Sequence, residues 1–444
     1  MELLGGKAMG TPSPNNVSTK QQRIATVAKV EKRALTTLAH HIDIEWLKEA
    51  VRLTRKDGAP GTDGVTAQQY GEKLEENLQS LLDRAKSGEY RAPAVRRVFI
   101  PKGDGSTRPI GIPTFEDKVL QRAVHMVLEP VYEQEFHDCS YGFRPGRSAH
   151  QALNSLRSQM MEMRGGWVLE VDIKSFFDTL DHRQLQQLIR RRVGDGVLLR
   201  LIGKWLNAGV QTNGDFSRPA MGTPQGGVIS PLLANIYLHE VLDEWVEKEV
   251  KPRLEGRSFL IRYADDFVMG FEREDDARRV LEVLPKRFGK YGLTLHPEKT
   301  RLLRFEKPRG EGRPPPEAFD LLGFTHYWGQ SQEGWWIIKL KTATTRLTRA
   351  LTRVRQWCRR NRHQPVAKQH QYLSAVVRGH CRYYGVIGNS RALARFRYEV
   401  LKAWHKWLDR RSQRGLSWLG FVEVLERFPL PSARLPVRLR PANP

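Results

Sequence analysis

The stretch that decides the fold is Phe259-Leu260-Ile261-Arg262-Tyr263-Ala264-Asp265-Asp266-Phe267-Val268-Met269. Its apolar runs predict two strands within residues 258–271, hinged at Ala264, Asp265 and Asp266. An Asp-Asp pair at a turn is ordinary by itself, because aspartate tolerates turn backbone angles and stays solvated. Here the flanking strands are apolar enough to be buried, so the repulsion between the two charges has to be relieved. A divalent cation is the usual relief.

A second strand is predicted over residues 167–173, where the side chains alternate between two faces. The alternation places Glu170 and Asp172 on one face, so Asp172 can converge with the tip of the hairpin. Carboxylate oxygens are hard ligands that suit Mg²⁺ and not zinc. Two such ions would activate a 3′-hydroxyl and stabilise a leaving pyrophosphate in an in-line displacement. The predicted metal ligands are Asp172, Ile173, Asp265 and Asp266.

Composition narrows the class of protein. The chain has 444 residues, 40% of them hydrophobic, so it can bury a sizeable core and is not disordered as a whole. No apolar run approaches the ~18 residues of a membrane span, and the N-terminus lacks the apolar core of a secretory signal. Three cysteines, Cys139, Cys358 and Cys381, show no CxxC spacing, so neither a disulfide framework nor a zinc knuckle is expected. These features predict a soluble, cytoplasmic protein with no membrane partner.

The positive charge is concentrated at one end of the chain. Residues 341–444 carry 23 Lys and Arg against 4 Asp and Glu, a net charge of +19, whereas residues 1–340 carry 50 against 45. A field so concentrated attracts phosphate backbones. A solvated cationic surface or a lipid-binding surface is the alternative. Nucleic acid is favoured because the arginines alternate with aromatic residues of the kind that are buried.

The hydrophobic period in this basic module changes from two residues to 3.6 and predicts three amphipathic helices. Their apolar stripes are Leu347, Leu351, Val354 and Cys358, then Leu373, Val376, Val377, His380 and Tyr384, and finally Leu393, Phe396, Val400, Trp404 and Leu408. The cationic side chains expected to bind nucleic acid on these helices are Arg349, Arg353, Arg360, Arg391, Arg395 and Lys402.

Further blocks surround the two carboxylate strands. These are Ile100-Pro101-Lys102 followed by Arg108, Ser140 to Ser148 with Arg144 and Arg147, Met221 to Asn235 with Gln225, Glu298-Lys299-Thr300, and Leu321-Leu322-Gly323-Phe324. From the residues alone, Lys102, Arg108 and Lys299 could be ordinary exposed charges. In the same way, Phe177 could be a core residue and the glycines beside Gln225 a tight connection.

Taken in order, these seven blocks resemble the group II intron-encoded reverse transcriptases of the maturase type, over roughly residues 45–410. Tyr263-Ala264-Asp265-Asp266 resembles the polymerase catalytic box, which implies that Asp172, Asp265 and Asp266 are catalytic. Phe177 resembles the aromatic gate that excludes a ribose 2′-hydroxyl. The resemblance implies that the nucleotide is bound by Lys102, Arg108, Phe177, Gln225 and Lys299, and that Arg144 and Arg147 bind nucleic acid.

The implied fold is α+β, a right-hand polymerase with fingers and palm followed by a three-helix basic thumb or maturase domain. The expected boundaries are residues 1–40 for an N-terminal tail and lead-in, 41–310 for fingers and palm, 311–340 for a linker and primer-grip strands, 341–425 for the helical domain, and 426–444 for a basic tail. Many family members continue into a DNA-binding region and a Cys- and His-containing nuclease. This sequence offers no CxxC pair for one, so it is similar to the endonuclease-lacking members.

The implied function is RNA-directed DNA synthesis for a group II intron, together with assistance to splicing and mobility. The implied partners are intron RNA, an RNA template, a DNA primer or target, deoxynucleoside triphosphates and two Mg²⁺ ions. One alternative is a domesticated relative in phage defence or CRISPR adaptation. Another is an RNA-binding splicing factor without catalysis, against which the intact aspartate set argues. The oligomeric state is open.

Overall fold

The computed structural model describes residues 17–101, 107–212, 214–217, 222, 226–308 and 316–433. Two of the predicted nucleotide-binding residues, Lys102 and Gln225, lie outside these ranges.

The chain combines helices with three mostly antiparallel sheets. The helices are α1 (Val17–Val30), α2 (Ile44–Leu53), α3 (Ala67–Gly71), α4 (Leu74–Ser87), α5 (Phe115–Tyr132), α6 (Ala149–Glu162), α7 (Phe176–Thr179), α8 (His182–Arg190), α9 (Gly196–Leu206), α10 (Ser230–Leu238), α11 (Glu274–Gly289), α12 (Thr344–Arg360), α13 (Val366–Tyr384), α14 (Ser390–Asp409) and α15 (Trp418–Arg427). The strands are β1 (Val95–Pro101), β2 (Thr107–Ile112), β3 (Trp167–Val171), β4 (Val210–Thr212), β5 (Asp215–Ser217), β6 (Ser258–Tyr263), β7 (Asp266–Phe271), β8 (Arg301–Arg304), β9 (Phe319–Leu321), β10 (Phe324–Gln330) and β11 (Trp336–Thr342). The α+β class expected from the sequence is confirmed.

The central sheet has the strand order β6-β7-β3-β8 and carries the predicted carboxylates. Its strands are buried on both faces, because their apolar side chains pack into two separate hydrophobic clusters. Strand β3 pairs with β7 in a register that sets Val171 opposite Phe267. Asp172 follows the C-terminal end of β3, and Asp266 begins β7 beside it. The two residues are therefore adjacent at the same end of the sheet, as the sequence predicted.

The other two sheets have four and three strands. One has the order β2-β1-β4-β5, with β1 and β4 parallel, and the other has the order β11-β10-β9. The block Leu321-Leu322-Gly323-Phe324 is not a single strand, because Leu322 and Gly323 form the turn between β9 and β10. Both residues have positive φ angles, 51° and 82°, which extended strand does not allow. The strand pair is β10 with β11.

The basic module packs around its own core, and the three predicted stripes are buried or half-buried along α12, α13 and α14. The sequence predicted three helices in this module, whereas the described part of the chain has four. Helix α15 adds Phe421, which is fully buried against Trp404 with ring centroids 5.6 Å apart. Buried Leu430 extends this core beyond the boundary expected at residue 425. Helix α15 is only ten residues long and Phe421 is its one buried residue, so it has no stripe of core positions that a helical period could reveal.

None of the helices in the described ranges is both long and apolar enough to cross a membrane.

Candidate active site

The hairpin of β6 and β7 turns tightly at the two carboxylates. Tyr263 pairs with Asp266, so Ala264 and Asp265 alone make the turn. Ala264 has a φ of 57°, a left-handed conformation that a two-residue hairpin turn requires and that costs a residue with a Cβ some strain. Asp265 and Asp266 are therefore held at the tip of a short, rigid connection and not on a long loop.

A buried guanidinium lies directly beneath this turn. The side chains of Arg262 and Asp243 are both 0% exposed, and Arg262 donates to the two Asp243 carboxylate oxygens at 2.8 and 2.6 Å. Its Nη1 donates to Asn235 Oδ1 at 2.9 Å and to the Ala264 carbonyl at 3.1 Å. Burial alone would raise the pKa of Asp243, but the adjacent arginine outweighs burial and lowers that pKa to about 2. Both groups are therefore charged, and Arg262 holds the carbonyl of the turn.

The block Ser140–Ser148 supports the same turn from the other side. Tyr141 N donates to the Arg262 carbonyl at 2.9 Å, and Asn235 Nδ2 donates to the Gly142 carbonyl at 2.7 Å. A Cβ at Gly142 would lie 2.3 Å from Ala264 N, closer than atoms approach without a shift. Only glycine allows the block to pack this closely against the turn.

Asp172 lies at the end of β3 and already has a cationic neighbour. Lys299 Nζ donates to Asp172 Oδ2 at 2.9 Å. The Asp172 carbonyl accepts from His296 N at 2.8 Å, which fixes the segment that carries the lysine. The structure thus places Lys299 in contact with a predicted metal ligand. Ile173 is buried and pairs with Leu295, so only its backbone oxygen could serve an ion.

The carboxylates perturb one another. Withdrawal from water raises the pKa of Asp265, and repulsion from Asp172 adds to the rise. Asp266 reaches solvent at the mouth of the cleft, yet surrounding protein and then the charges of Asp265 and Asp172 raise its pKa to about 6. Two carboxyl groups with raised pKa values, beside the carboxylate of Asp172, fit a divalent cation, because the ion offsets their repulsion and accepts hard oxygen donors.

A cleft of about 370 Å³ lies between the central sheet and the start of α12. Its walls include Asp172, Asp266, Lys299 and Glu170, so the two carboxylates predicted on one face of β3 do share that face. Arg346, in the first turn of α12, also lines the cleft, and its charge opposes the rise in the pKa of Asp266. Arg346 is not recognisable from the sequence, because its partner Asp266 lies 80 residues earlier and no spacing rule links the two.

Arg108 and Phe177 are two of the predicted nucleotide-binding residues that the structure describes. Arg108 is exposed on β2, and its positive charge acts to lower the pKa of Asp265. Phe177 is half-buried in α7, edge-on to the fully packed Phe176 with ring centroids 5.3 Å apart. A Cβ at Gly222 would lie 2.9 Å from the Phe177 carbonyl, so the segment that begins the Gln225 block is adjacent to the aromatic residue.

The prediction that Arg144 binds nucleic acid was wrong. Its side chain is 4% exposed and pairs with Glu133 at 2.9 Å. Its Nη1 also donates to the carbonyls of His137 and Ser140, so every part of the guanidinium is used inside the protein. Arg147 is half-buried, pairs with Asp138 and lies 5.4 Å from the Tyr141 ring centroid. The two arginines thus stabilise the block Ser140–Ser148, which packs against the turn at Ala264.

The cations predicted to bind nucleic acid on the helical module are exposed to solvent, in contrast to the buried Arg144. All six are exposed, namely Arg349, Arg353, Arg360, Arg391, Arg395 and Lys402.

The chain resembles known proteins in this same region. A family model described as reverse transcriptase (RNA-dependent DNA polymerase) matches residues 100–326. Protein YkfC of Escherichia coli (strain K12) is 38% identical over 329 residues, which are 64% of this chain and 84% of YkfC. Group II intron-encoded protein LtrA of Lactococcus lactis subsp. cremoris is 46% identical over 173 residues, 39% of this chain and 28% of LtrA. Nuclear intron maturase 2, mitochondrial, of Arabidopsis thaliana is 30% identical over 175 residues, 31% of this chain and 24% of that protein. The chain therefore spans most of YkfC and about a quarter of each intron protein.

The raised pKa of Asp266 predicts a measurable effect on stability. The folded-state pKa of about 6 exceeds the ordinary 3.8, so the folded protein binds this proton more tightly than the unfolded chain does. Ionising Asp266 thus lowers stability progressively as the pH rises from about 4 to about 6. In chelator, Asp266→Asn should have a higher Tm than wild type at pH 7 and the same Tm near pH 4. A divalent cation should raise the Tm of wild type more than that of the variant.

Asp83→Asn, which changes an exposed aspartate on α4, is the control and should leave the Tm unchanged across this range. A Tm below that of wild type for Asp266→Asn at pH 7 without metal would show that Asp266 is not repelled by the carboxylates of Asp265 and Asp172.

Proposed function

This chain belongs to the reverse transcriptase (RNA-dependent DNA polymerase) family, and we propose that it is the polymerase of a group II intron that also binds the intron RNA and assists its splicing and mobility. The observation that carries the proposal is the meeting of Asp172 with the clamped turn of Asp265 and Asp266, beside a helical module of high positive charge. The similarity to LtrA and to an intron maturase supports the intron-related part.

The proposed architecture is a right hand. The central sheet would be the palm, and the sheet of β1, β2, β4 and β5 would belong to the fingers. Helices α12 to α15 would form the thumb, which begins at the cleft with Arg346.

Two Mg²⁺ ions are the proposed cofactor, held by Asp172, Asp265, Asp266 and the backbone of Ile173. Bound there, the ions would activate the primer 3′-hydroxyl and stabilise the leaving pyrophosphate. Lys299 contacts Asp172 at 2.9 Å, so on metal binding its ammonium would be released toward the substrate phosphates. Arg262 would keep the turn in place while the charge in the cleft changes.

The nucleotide site is proposed on the other side of the turn. Arg108, with Lys102, would hold the triphosphate, since arginine binds phosphate oxygens in pairs. Phe177 would lie against the sugar and exclude a ribose 2′-hydroxyl, and Gln225 would lie beside the incoming deoxynucleotide. The close approach of Gly222 to the Phe177 carbonyl supports this pairing of segments.

The proposed nucleic acid partners are an RNA template, a DNA primer or target, and intron RNA, which would place the protein in the bacterial cytoplasm. The exposed cations of α12 and α14 would contact phosphates, which position RNA without reading its sequence.

The first test separates catalysis from RNA binding. Asp265→Asn removes a ligand charge, so primer extension on a primed RNA template should fall by several orders of magnitude. Binding to the RNA transcribed from the DNA around the gene, and any stimulation of its splicing, should remain near the wild-type level. Asp178→Asn, an exposed neighbour of Phe177, is the matched control and should keep extension within about threefold.

Extension by Asp265→Asn or Asp172→Asn within tenfold of wild type would refute the metal site. Normal extension by wild type, without binding or splicing of the flanking RNA, would instead favour a domesticated reverse transcriptase.

A second test concerns the choice of sugar. Phe177→Ala should open space at the ribose 2′ position and raise ribonucleotide incorporation while deoxynucleotide incorporation continues. Phe177→Tyr keeps the ring and should discriminate as wild type does. The measurement is the ratio of kcat/KM values for the two nucleotides. An unchanged ratio in Phe177→Ala would show that this ring serves only the core.

A further inference from the structure

We propose that a groove between α12, α14 and α15 is a binding site for unpaired RNA, in which bases stack on Tyr398 and Trp418. This site deepens the proposed function, on which it rests, by assigning the class of RNA and the residues that bind it. The groove encloses about 740 Å³, within the ~300–1,000 Å³ typical of ligand sites.

Two aromatic side chains of the groove are left in contact with water. Tyr398 is 54% exposed and Trp418 is 46% exposed. The Trp418 ring is nevertheless held in place, edge-on to His405 at 4.9 Å between centroids and 5.5 Å from Phe421. A ring that is fixed by its neighbours but keeps an exposed face offers a stacking platform at a low cost in side-chain entropy.

Cations lie against two aromatic side chains of the groove. Lys402 lies 5.4 Å from the Tyr398 ring centroid, and Lys406 lies 6.0 Å from that of Trp407, which also lines the groove. Glu399 is the acidic residue of the groove, and it pairs with Arg355 at 2.8 Å and with Lys402 at 3.8 Å. The groove therefore keeps a net positive charge. Aromatic faces flanked by cations match the bases and phosphates of a single strand.

The chemistry favours unpaired RNA over a duplex. In a duplex the base faces are stacked inside the helix and cannot reach an aromatic side chain, whereas loops and ends can splay a base outward. The groove is also separate from the polymerase cleft. Arg346 lines the cleft and Arg355 lines the groove, and this part of α12 spans roughly 14 Å at ~1.5 Å per residue. A primed template in the cleft and an unpaired strand in the groove could be bound together.

The test uses the full chain, with a single-stranded oligoadenylate and a blunt RNA duplex of equal length as probes. Tyr398→Ala and Trp418→Ala should each weaken binding of the oligoadenylate by about tenfold, since each removes one stacked base. The salt dependence should keep its slope, because no phosphate contact is lost. Trp418→Phe should bind within about threefold of wild type. Duplex binding and primer extension on a primed template should be unchanged.

Trp335→Ala is the matched control, because Trp335 is 67% exposed on the β10–β11 hairpin and lies outside the groove. Tyr398 is a surface residue, so its variant keeps the test valid if Trp418→Ala fails to fold. Two results would overturn the proposal that the groove binds unpaired RNA. One is an equal loss of oligoadenylate and duplex binding in the variants, and the other is oligoadenylate binding by Tyr398→Ala within twofold of wild type. Either result with intact primer extension leaves the polymerase proposal standing, whereas a wild-type chain without extension refutes that proposal separately.

Discussion

The buried ion pair between Arg262 and Asp243 is the interaction on which the site depends. Removing two charges from water is costly, and the pair compensates only because each nitrogen of the guanidinium donates a hydrogen bond. One of those partners is the carbonyl of Ala264, so the pair is bonded to the turn itself. Its positive charge also opposes the rise in the pKa of Asp265. The same side chain thus fixes the position of the turn and moderates the repulsion between its carboxylates.

Around this anchor the fold brings together segments that are far apart in the chain. Asp172 follows strand β3, Lys299 precedes β8, and Arg346 lies in the first turn of α12. All three line the same cleft at one end of the central sheet. The negative charges of the carboxylates and the positive charges of Lys299 and Arg346 therefore meet in the cleft only when the central sheet has formed. Folding thus creates the arrangement of charges that would bind a metal ion.

Local patterns in the sequence predicted much of this. The hairpin at Ala264–Asp266 follows from two apolar runs, and the strand before Asp172 follows from alternation. The apolar stripes of α12, α13 and α14 follow from the helical period. Residues whose role depends on distant partners were missed or misassigned. Arg144 looked like a surface cation because its partner Glu133 is not marked by any motif. Arg262 was quoted within the decisive stretch, yet its partner Asp243 lies in another element.

The measurement that tests the account most directly is the effect of Gly142→Ala on primer extension. A Cβ there would lie 2.3 Å from Ala264 N, so the turn would have to move, although no catalytic group is altered. Gly71→Ala, where a Cβ meets nothing within 4 Å, is the control. We expect Gly142→Ala to retain the circular dichroism spectrum and RNA binding of wild type but to lose about hundredfold in extension rate, as a displacement of ~1 Å can cause. An extension rate within about threefold of wild type would show that the clamped turn does not set the position of the carboxylates proposed to be catalytic.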